Sequence, residues 1–191
     1  MIKLYYAPFS CSMAIHIVLE LVWADYEAIK VKPWSDEYKQ IAPKWSVPAM
    51  IDTENTLWVM TQIPALLKYI AKKYNPEMIW ENTLEWEYIL NNALAFINSD
   101  LHTSFNSAYW AAKFTTKTDE DSLNSIKEAA QKRIERQIWF LEEMLQWKEY
   151  LIWNKLTVAD IYAFVVSNWA NSILPNKLNN FPNILKLHEK I

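Results

Sequence analysis

The spacing of apolar positions changes about halfway along the chain. Up to residue 74, short runs with strand-like alternation are interleaved with amphipathic stretches of helical period, which predicts the order β-α-β-α-β-β-α. The predicted strands are 2–6, 26–32, 47–51 and 57–60, and the predicted helices are 11–22, 36–41 and 62–74. Pro64 falls in the first turn of the last of these helices, where a missing N–H costs nothing.

The second half of the chain shows only the helical period. Apolar residues recur every three to four positions over 84–113 and 119–146, which predicts two long helices. A proline-containing break places a domain boundary near 76–82. We therefore expect an α/β domain over residues 1–76 and an all-α domain over residues 83–191.

Composition narrows the class of protein. With 191 residues, 52% hydrophobic and 21% charged, the chain is typical of a globular protein with a sizeable core. A formal charge of -3 and the lack of a basic block argue against a nucleic acid partner. There is no 18-residue apolar run and no signal-peptide pattern, so we expect neither a membrane span nor secretion. The expected location is the cytoplasm, where thiols stay reduced.

Cys11 is the single cysteine of the chain, so no internal disulfide can form. It follows the first predicted strand and opens the first predicted helix. Free N–H groups and the positive end of the helix dipole favour a thiolate at such a position. A free cysteine can equally be a small buried residue without reactivity. Position alone leaves both interpretations open.

One local signal in the second half is a helix start at residues 156–161. Thr157 can cap the helix, Asp160 can reach back to the N–H of Thr157, and Leu156 can pack on Ile161. This capping pattern predicts a structural role for Asp160 in preference to a role as a catalytic acid.

Three segments carry a resemblance to a known family. They are YAPFSCSMAIHIVL at residues 6–19, APKWSVPAM at residues 42–50 and LTVADIYAF at residues 156–164. In this order and spacing the chain resembles the glutathione S-transferases along nearly its whole length, and within them the bacterial beta class, which contains a cysteine. The resemblance implies a thioredoxin-like α/β N-terminal domain followed by an all-α helical domain. The chain stops at Ile191, a little before the final helix that this family usually has, so truncation is a further expectation.

The resemblance also implies how the N-terminal domain would bind glutathione. Val47 and Pro48 would form a cis-proline turn whose backbone pairs with the cysteine of glutathione. Cys11 would face the glutathione sulfur, with which it can form a mixed disulfide. Ser12 could donate a hydrogen bond to either sulfur, or could simply begin the helix.

The carboxylate of the γ-glutamyl group would bind at the start of the helix that follows the hairpin. Thr61, Gln62 and Ile63 occupy that position, where free N–H groups and the helix dipole attract anions. Ile63 departs from the family, which usually has serine there. Because the serine hydroxyl is missing, we expect weaker glutathione binding with the backbone donors retained.

His102 matches a histidine of the beta class on the first long helix, and the resemblance makes it a second catalytic residue. A polar and aromatic stripe passes through it at helical spacing, and this stripe could form a cleft wall or a helix–helix contact. The stripe comprises Tyr88, Asn91, Ala95, Asn98, His102, Phe105 and Tyr109. We expect His188, close to the end of the chain, to be solvated, and no spacing of His, Cys, Asp and Glu indicates a metal site.

The implied function is glutathione transfer. The enzyme would use glutathione as co-substrate, without a metal, and transfer its thiol to a small apolar electrophile or exchange it with a disulfide. The alternative is a protein of the same fold that acts as a protein-interaction module without catalysis, which the missing serine at Ile63 would suit. A homodimer is expected by analogy with the family.

Glycine is absent from the 191 residues, whereas tryptophan occurs 11 times. Average usage predicts roughly 13 glycines in this length. Against the family pattern, tryptophans stand where glycine is usual: Trp23, Trp45 and Trp153, with Trp147, Trp34 and Trp80 as further candidates. We hypothesise that the source organism reads the codon UGA as glycine and that the sequence was translated with UGA as tryptophan. A deliberately glycine-free design is the rival explanation.

Overall fold

The computed structural model describes residues 1–42, 44–79 and 83–191. The chain divides into two compact units, Met1–Glu87 and Tyr88–Ile191. Residues 80–82 of the predicted boundary region, Trp80 among them, lie outside the described residues, as does Pro43 of the second family motif.

The first unit contains a four-stranded mixed sheet. Its strands are β1 (Ile2–Tyr6), β2 (Tyr26–Lys30), β3 (Ala49–Asp52) and β4 (Met60–Thr61), in the order β2-β1-β3-β4. β1 pairs in parallel with β2 and antiparallel with β3, which pairs antiparallel with β4. All four predicted strands exist, but β3 begins only after the Val47-Pro48 turn, and β4 is shorter than the predicted 57–60 and displaced toward its end.

The unit also contains the helices α1 (Ser12–Leu21), α2 (Asp36–Lys39) and α3 (Ile63–Tyr74), followed by a 3₁₀ turn at Pro76–Met78. α1 and α3 pack against each other. α3 is tied to the sheet by the buried carboxylate of Asp52, which accepts hydrogen bonds from Tyr69 Oη at 2.7 Å and from Lys73 Nζ. These bonds hold the pKa of Asp52 below its usual range despite burial. The observed α/β arrangement confirms the fold class expected for the N-terminal part.

The second unit is helical, but its first helix is not the single 84–113 helix that the periodicity predicts. α4 (Leu84–Ala95) continues as a π-helical segment, Phe96–His102, before the short α5 (Asn106–Tyr109) and a 3₁₀ turn. At the irregular stretch the hydroxyl of Ser104 donates to the carbonyl of Leu101 at 2.6 Å, and that of Thr103 donates to Ser99. Hydroxyls that bond to nearby carbonyls compete with the regular helical ladder, a local effect that apolar periodicity does not report.

The remaining helices are α6 (Glu120–Met144), α7 (Val158–Asn168), α8 (Ala170–Ile173) and α9 (Pro182–Lys190). Asp119 caps α6 by accepting from Ser122 N–H at 2.9 Å. α9 is capped from another helix: the buried Glu142 of α6 accepts from the N–H groups of Asn183 and Ile184 at 2.9 and 3.0 Å. α6 lies close to its predicted bounds of 119–146, and α7 begins where the capping pattern predicts.

Asp160 has the structural role that the capping pattern predicts. Its Oδ2 accepts from the Thr157 N–H at 2.8 Å and hydroxyl at 2.7 Å, and its Oδ1 accepts from the Leu151 N–H at 2.7 Å. Burial raises the pKa of this carboxyl, against the lowering effect of these bonds. Within the described part of the chain, no helix has both the length and the apolar character needed to cross a membrane.

Candidate functional site

Cys11 lies at the start of α1 and is partly buried against the loop that precedes β3. Its Sγ is 3.5 Å from the carbonyl oxygen of Val47, to which the thiol donates. Burial raises the pKa of Cys11 to about 11. Of the two interpretations that the position left open, this favours the buried thiol over the thiolate, because loss of solvent outweighs the local amides.

Ser12 is fully buried, and its hydroxyl is engaged within its own loop. It lies 2.6 Å from the Ser10 hydroxyl and 3.2 Å from both the N–H and the carbonyl of Ala7. A hydroxyl held in this way has no surface to offer a ligand. Of the two alternatives for Ser12, these contacts favour shaping of the helix start, and donation to a sulfur stays a prediction.

The peptide bond between Val47 and Pro48 is cis, as the family resemblance predicts. The residue before Val47 is held in place by Tyr38 of α2, whose hydroxyl donates to the Ser46 carbonyl at 3.0 Å. Tyr38 is 2% exposed and packs in one apolar cluster with Tyr5 and Val47. Sequence reasoning missed this support, since Tyr38 falls in a short helix with no motif around it.

Gln62 joins β4 to α3 with an unusual backbone, φ 75° and ψ 111°, and its side chain is exposed. β3 and β4 pair Ala49 with Thr61, so Pro48 and Gln62 occupy neighbouring ends of the two strands. A left-handed backbone at a residue other than glycine is costly and persists where the surroundings impose it, commonly at functional sites. The turn points the start of α3 toward the cis-proline edge of the sheet.

Ile63 is the first residue of α3, and its side chain is 4% exposed. The side chain is therefore part of the core. Its N–H and that of Ala65 are among the first amides of the helix, which have no partner within an α-helix, while Pro64 has no N–H to offer. The anion-binding capacity of this end rests on backbone amides and on Gln62.

Phe9 is a feature of the same region that sequence reasoning did not single out. It lies two residues before Cys11, has φ 60° and is 94% exposed. A fully exposed aromatic ring on a strained backbone has no packing role. An exposed ring on the loop that carries the thiol is suited to contact an apolar ligand.

His102 lies in the helical unit, at the end of the π-helical segment. Its Nδ1 is 2.7 Å from the hydroxyl of Tyr162, which donates to Asn98 Oδ1 at 3.0 Å. Since that hydroxyl has one hydrogen, Nδ1 carries the proton toward Tyr162. Burial lowers the pKa of His102 to about 4, so the ring is neutral at pH 7.

The stripe around His102 is mainly a helix–helix contact. Trp169 meets the rings of His102, Phe105 and Tyr109 edge-on at 5.1, 5.5 and 6.4 Å. Tyr88, by contrast, is exposed. His188 is also held inside this unit, with Nε2 2.8 Å from the hydroxyl of Ser167 and a pKa lowered to about 4 by burial, so the expectation that it is solvated is wrong.

Among the described residues, no group of three or more His, Cys, Asp or Glu side chains is placed to hold a metal ion. The donors at the candidate site around Cys11, Val47 and the start of α3 are backbone amides, one thiol and one carboxamide. Such a set suits an extended peptide-like ligand with a carboxylate.

The chain is similar to known proteins along its length. Residues 99–191 match the family model for the glutathione S-transferase C-terminal domain. A glutathione S-transferase of Xanthomonas campestris pv. campestris is 30% identical over 178 residues, which cover 88% of this chain and 82% of that protein.

Two solved structures extend the likeness to the fold. A bacterial beta class glutathione S-transferase of Sphingomonas chungbukensis superposes with a TM-score of 0.82 at 27% identity, covering 98% of this chain and 91% of the other. A sphingomonad glutathione S-transferase solved in complex with glutathione has a TM-score of 0.81 at 26% identity, with the same coverage.

Proposed function

Since this chain belongs to the glutathione S-transferase family, we propose that its first unit binds glutathione between Cys11, the Val47-Pro48 turn and the start of α3. The chain is a glutathione transferase like its relatives. One observation carries the proposed site: the Cys11 thiol contacts the Val47 carbonyl, and the β3–β4 register brings Gln62 to the same edge of the sheet.

The parts of glutathione match these groups in order. Its γ-glutamyl carboxylate binds the free amides at the start of α3 together with Gln62. Its central cysteine pairs with the backbone of Val47 as an added strand would. Its sulfur then lies beside Cys11. Because Ile63 has no hydroxyl, the carboxylate is held by fewer donors than in relatives with serine there.

Cys11 acts in this scheme as a neutral thiol. With a pKa of about 11 it is protonated at pH 7, and its single S–H turns from the Val47 carbonyl to donate to the glutathione thiolate. The glutathione thiol loses its proton to solvent, and its sulfur attacks the carbon of the electrophile. A C–S bond forms as the leaving group departs with its electron pair. Conjugation is thus favoured over exchange through a mixed disulfide, which needs the Cys11 thiolate.

His102 has a positioning role in this scheme. A neutral ring that donates to Tyr162 and packs on Trp169 holds the end of the π-helical segment in place. We further propose that the second substrate is a small apolar electrophile and that the reaction needs no metal. We also propose that the protein is a homodimer and that it lies in the cytoplasm. The names of the relatives support the transferase function over a protein-interaction module without catalysis.

The test compares wild type with Cys11→Ala and Cys11→Ser in two assays. Wild type should be retained on immobilised glutathione, be eluted by free glutathione, and conjugate an activated aryl halide. If Cys11 donates a hydrogen bond, Cys11→Ser keeps most of the conjugation rate, whereas Cys11→Ala loses about tenfold. Equal loss in both variants, with loss of disulfide exchange, would identify Cys11 as the nucleophile. Absence of retention by wild type would refute the glutathione site.

A further inference from the structure

Tryptophan is concentrated at backbone positions that normally require glycine. Eight described residues have a positive φ between 53° and 75°, and five of them are tryptophans. Ten tryptophans fall among the described residues, and half of these have a left-handed backbone. Among the described residues of all other types, only three have a left-handed backbone. Bulky side chains are rare outliers in this region, which glycine occupies freely. The five are Trp23, Trp34, Trp45, Trp147 and Trp153.

Trp23 occupies the glycine position of a Schellman motif at the end of α1. Its N–H donates to the Glu20 carbonyl at 3.1 Å, and the N–H of Ala24 donates to the Leu19 carbonyl at 3.0 Å. In a Schellman motif, the residue that follows the helix C-cap has a left-handed backbone and is usually glycine. Trp23 is that residue, because Val22 is the C-cap of α1. Trp23 has φ 53° and is 93% exposed, so no packing compensates for the backbone strain.

Trp34 occupies the glycine position of a β-turn. Ser35 N–H donates to the Lys32 carbonyl at 3.2 Å, Pro33 is the second residue of the turn, and Trp34 is the third with φ 70°. Proline followed by a left-handed residue is the signature of a type II turn, whose third position favours glycine. Both this turn and the end of α1 are thus built for a residue without a side chain.

The other three left-handed tryptophans lie in connecting segments. Trp45 has φ 57° and precedes the Val47 turn by two residues, Trp147 has φ 62° after α6, and Trp153 has φ 60° in the turn that bonds Tyr150 to it. Trp147 is 93% and Trp153 54% exposed. The rings of Trp34 and Trp45 meet edge-on at 6.0 Å, and this contact lies on the protein surface.

We infer that these five positions are glycine in the protein as its own cell makes it, encoded by UGA codons that the cell reads as glycine. The five other described tryptophans are true tryptophans. None of those five has a left-handed backbone, and Trp169 fills the contact with His102 and Phe105. The inference is independent of the proposed catalytic roles. It supplies five of the roughly 13 glycines that average usage predicts, and it lowers the number of tryptophans from 11 to six. Trp80 lies outside the described residues.

The inference bears on the glutathione site at one point. Trp34 and Trp45 lie on the loops next to Ser46, whose carbonyl is bonded to Tyr38. Glycine at both positions removes two partly exposed indoles and relieves the left-handed backbone two residues before Val47.

The coding DNA gives the first test. We expect TGA at codons 23, 34, 45, 147 and 153 and TGG at codons 58, 86, 110, 139 and 169. TGG at the first group, as in a deliberately glycine-free design, would overturn the inference, and so would TGA in both groups. Peptide mass spectrometry of the protein from its source cells should find glycine at the five left-handed positions and tryptophan at the others.

The second test uses recombinant protein made with the standard code. The variant with Trp→Gly at all five left-handed positions should melt about 10 °C higher than the chain as written. The matched control replaces Trp58, Trp110 and Trp139, which are 79%, 55% and 47% exposed and not left-handed, with glycine. The control should melt no higher than the parent. A rise in the control equal to that of the five-site variant would show that the gain comes from removing exposed indoles.

Discussion

The thiol of Cys11 donates a hydrogen bond to the carbonyl of Val47 across 3.5 Å, and this contact joins the start of α1 to the cis-proline turn. Two segments 36 residues apart in sequence thereby form one edge of the candidate site. The contact also fixes the ionisation of the thiol, because the same burial that permits it keeps Cys11 neutral.

Alkylation of Cys11 measures this directly, since it is the single cysteine of the chain. With a pKa of about 11 in place of the ordinary 9.0, the thiolate fraction at pH 7 is lower by about 100-fold than that of an unhindered thiol. The rate with iodoacetamide should rise about tenfold per pH unit from pH 7 to pH 10. Denatured protein is the control, and its rate should begin to bend near pH 9 and level off by about pH 10. A plateau below pH 8 in the folded protein would show an acidic thiol.

Replacement of Gln62 by glycine should separate stability from binding. Glycine relieves the left-handed backbone and stabilises the protein by about 1 kcal/mol, but the lost carboxamide weakens glutathione binding about tenfold. Lys177→Gly is the matched control, because Lys177 also has a positive φ, of 53°, and lies in the helical unit. The control should gain similar stability with unchanged affinity. Calorimetry of glutathione binding and urea unfolding give both quantities.

Ile63→Ser tests the departure from the family pattern. Loss of a buried isoleucine side chain destabilises the protein by roughly 2–4 kcal/mol, whereas a hydroxyl at the start of α3 adds a bond to the glutathione carboxylate. Ile63→Ala is the control, with the same lost packing and no hydroxyl. We expect the serine variant to bind glutathione about tenfold more tightly than the alanine variant. Equal dissociation constants would place the carboxylate elsewhere.

Tyr38→Phe should affect glutathione affinity although Tyr38 is buried. The change leaves the Ser46 carbonyl without its donor and destabilises the protein by about 1 kcal/mol. Because the Val47 segment loosens, KM for glutathione should rise several-fold while kcat changes little. Tyr5→Phe removes a hydroxyl from the same apolar cluster without affecting Ser46, and its KM should equal that of wild type. A rise in KM for Tyr5→Phe as well would assign the effect to the cluster as a whole.

The buried histidines make stability dependent on pH in the acid range. Burial lowers the pKa of His188 to about 4, below the ordinary 6.5, so the unfolded chain takes up a proton first as pH falls. The stabilisation that neutral His188 gives the folded state is complete above pH 6.5 and is lost as the pH falls toward 4. Between pH 6.5 and 4.5, wild type should lose about 2 kcal/mol more than His188→Gln, in urea unfolding at each pH. If the free energy of unfolding falls equally with pH in the two proteins, His188 has the same pKa in the folded and unfolded states.

Much of the fold could be predicted from local patterns. Alternation located the strands, helical periodicity located α6, and the Thr157 motif located the start of α7. The break after α4 escaped prediction because it depends on hydroxyl groups that bond to carbonyls one turn away. The cap of α9 could not be predicted from local sequence, because the capping carboxylate belongs to Glu142 in α6.

Less of the site could be predicted from local patterns. The Val47-Pro48 turn and Gln62 were found through the family resemblance. The ionisation of Cys11 could not be decided from its position, since a rule about helix ends takes no account of the burial that tertiary packing imposes. Tyr38 supports the site through a contact between elements, and nothing in its immediate sequence indicates that.

The capping of α9 by Glu142 has a consequence for the order in which the helical unit assembles. α9 has nine residues and no cap of its own, so as an isolated segment it is marginal as a helix. Its amides find their acceptor only once α6 has formed and docked. Until residues 182–190 dock, the carboxylate of Glu142 stays hydrated, so closure of this unit waits for the contact between α6 and α9.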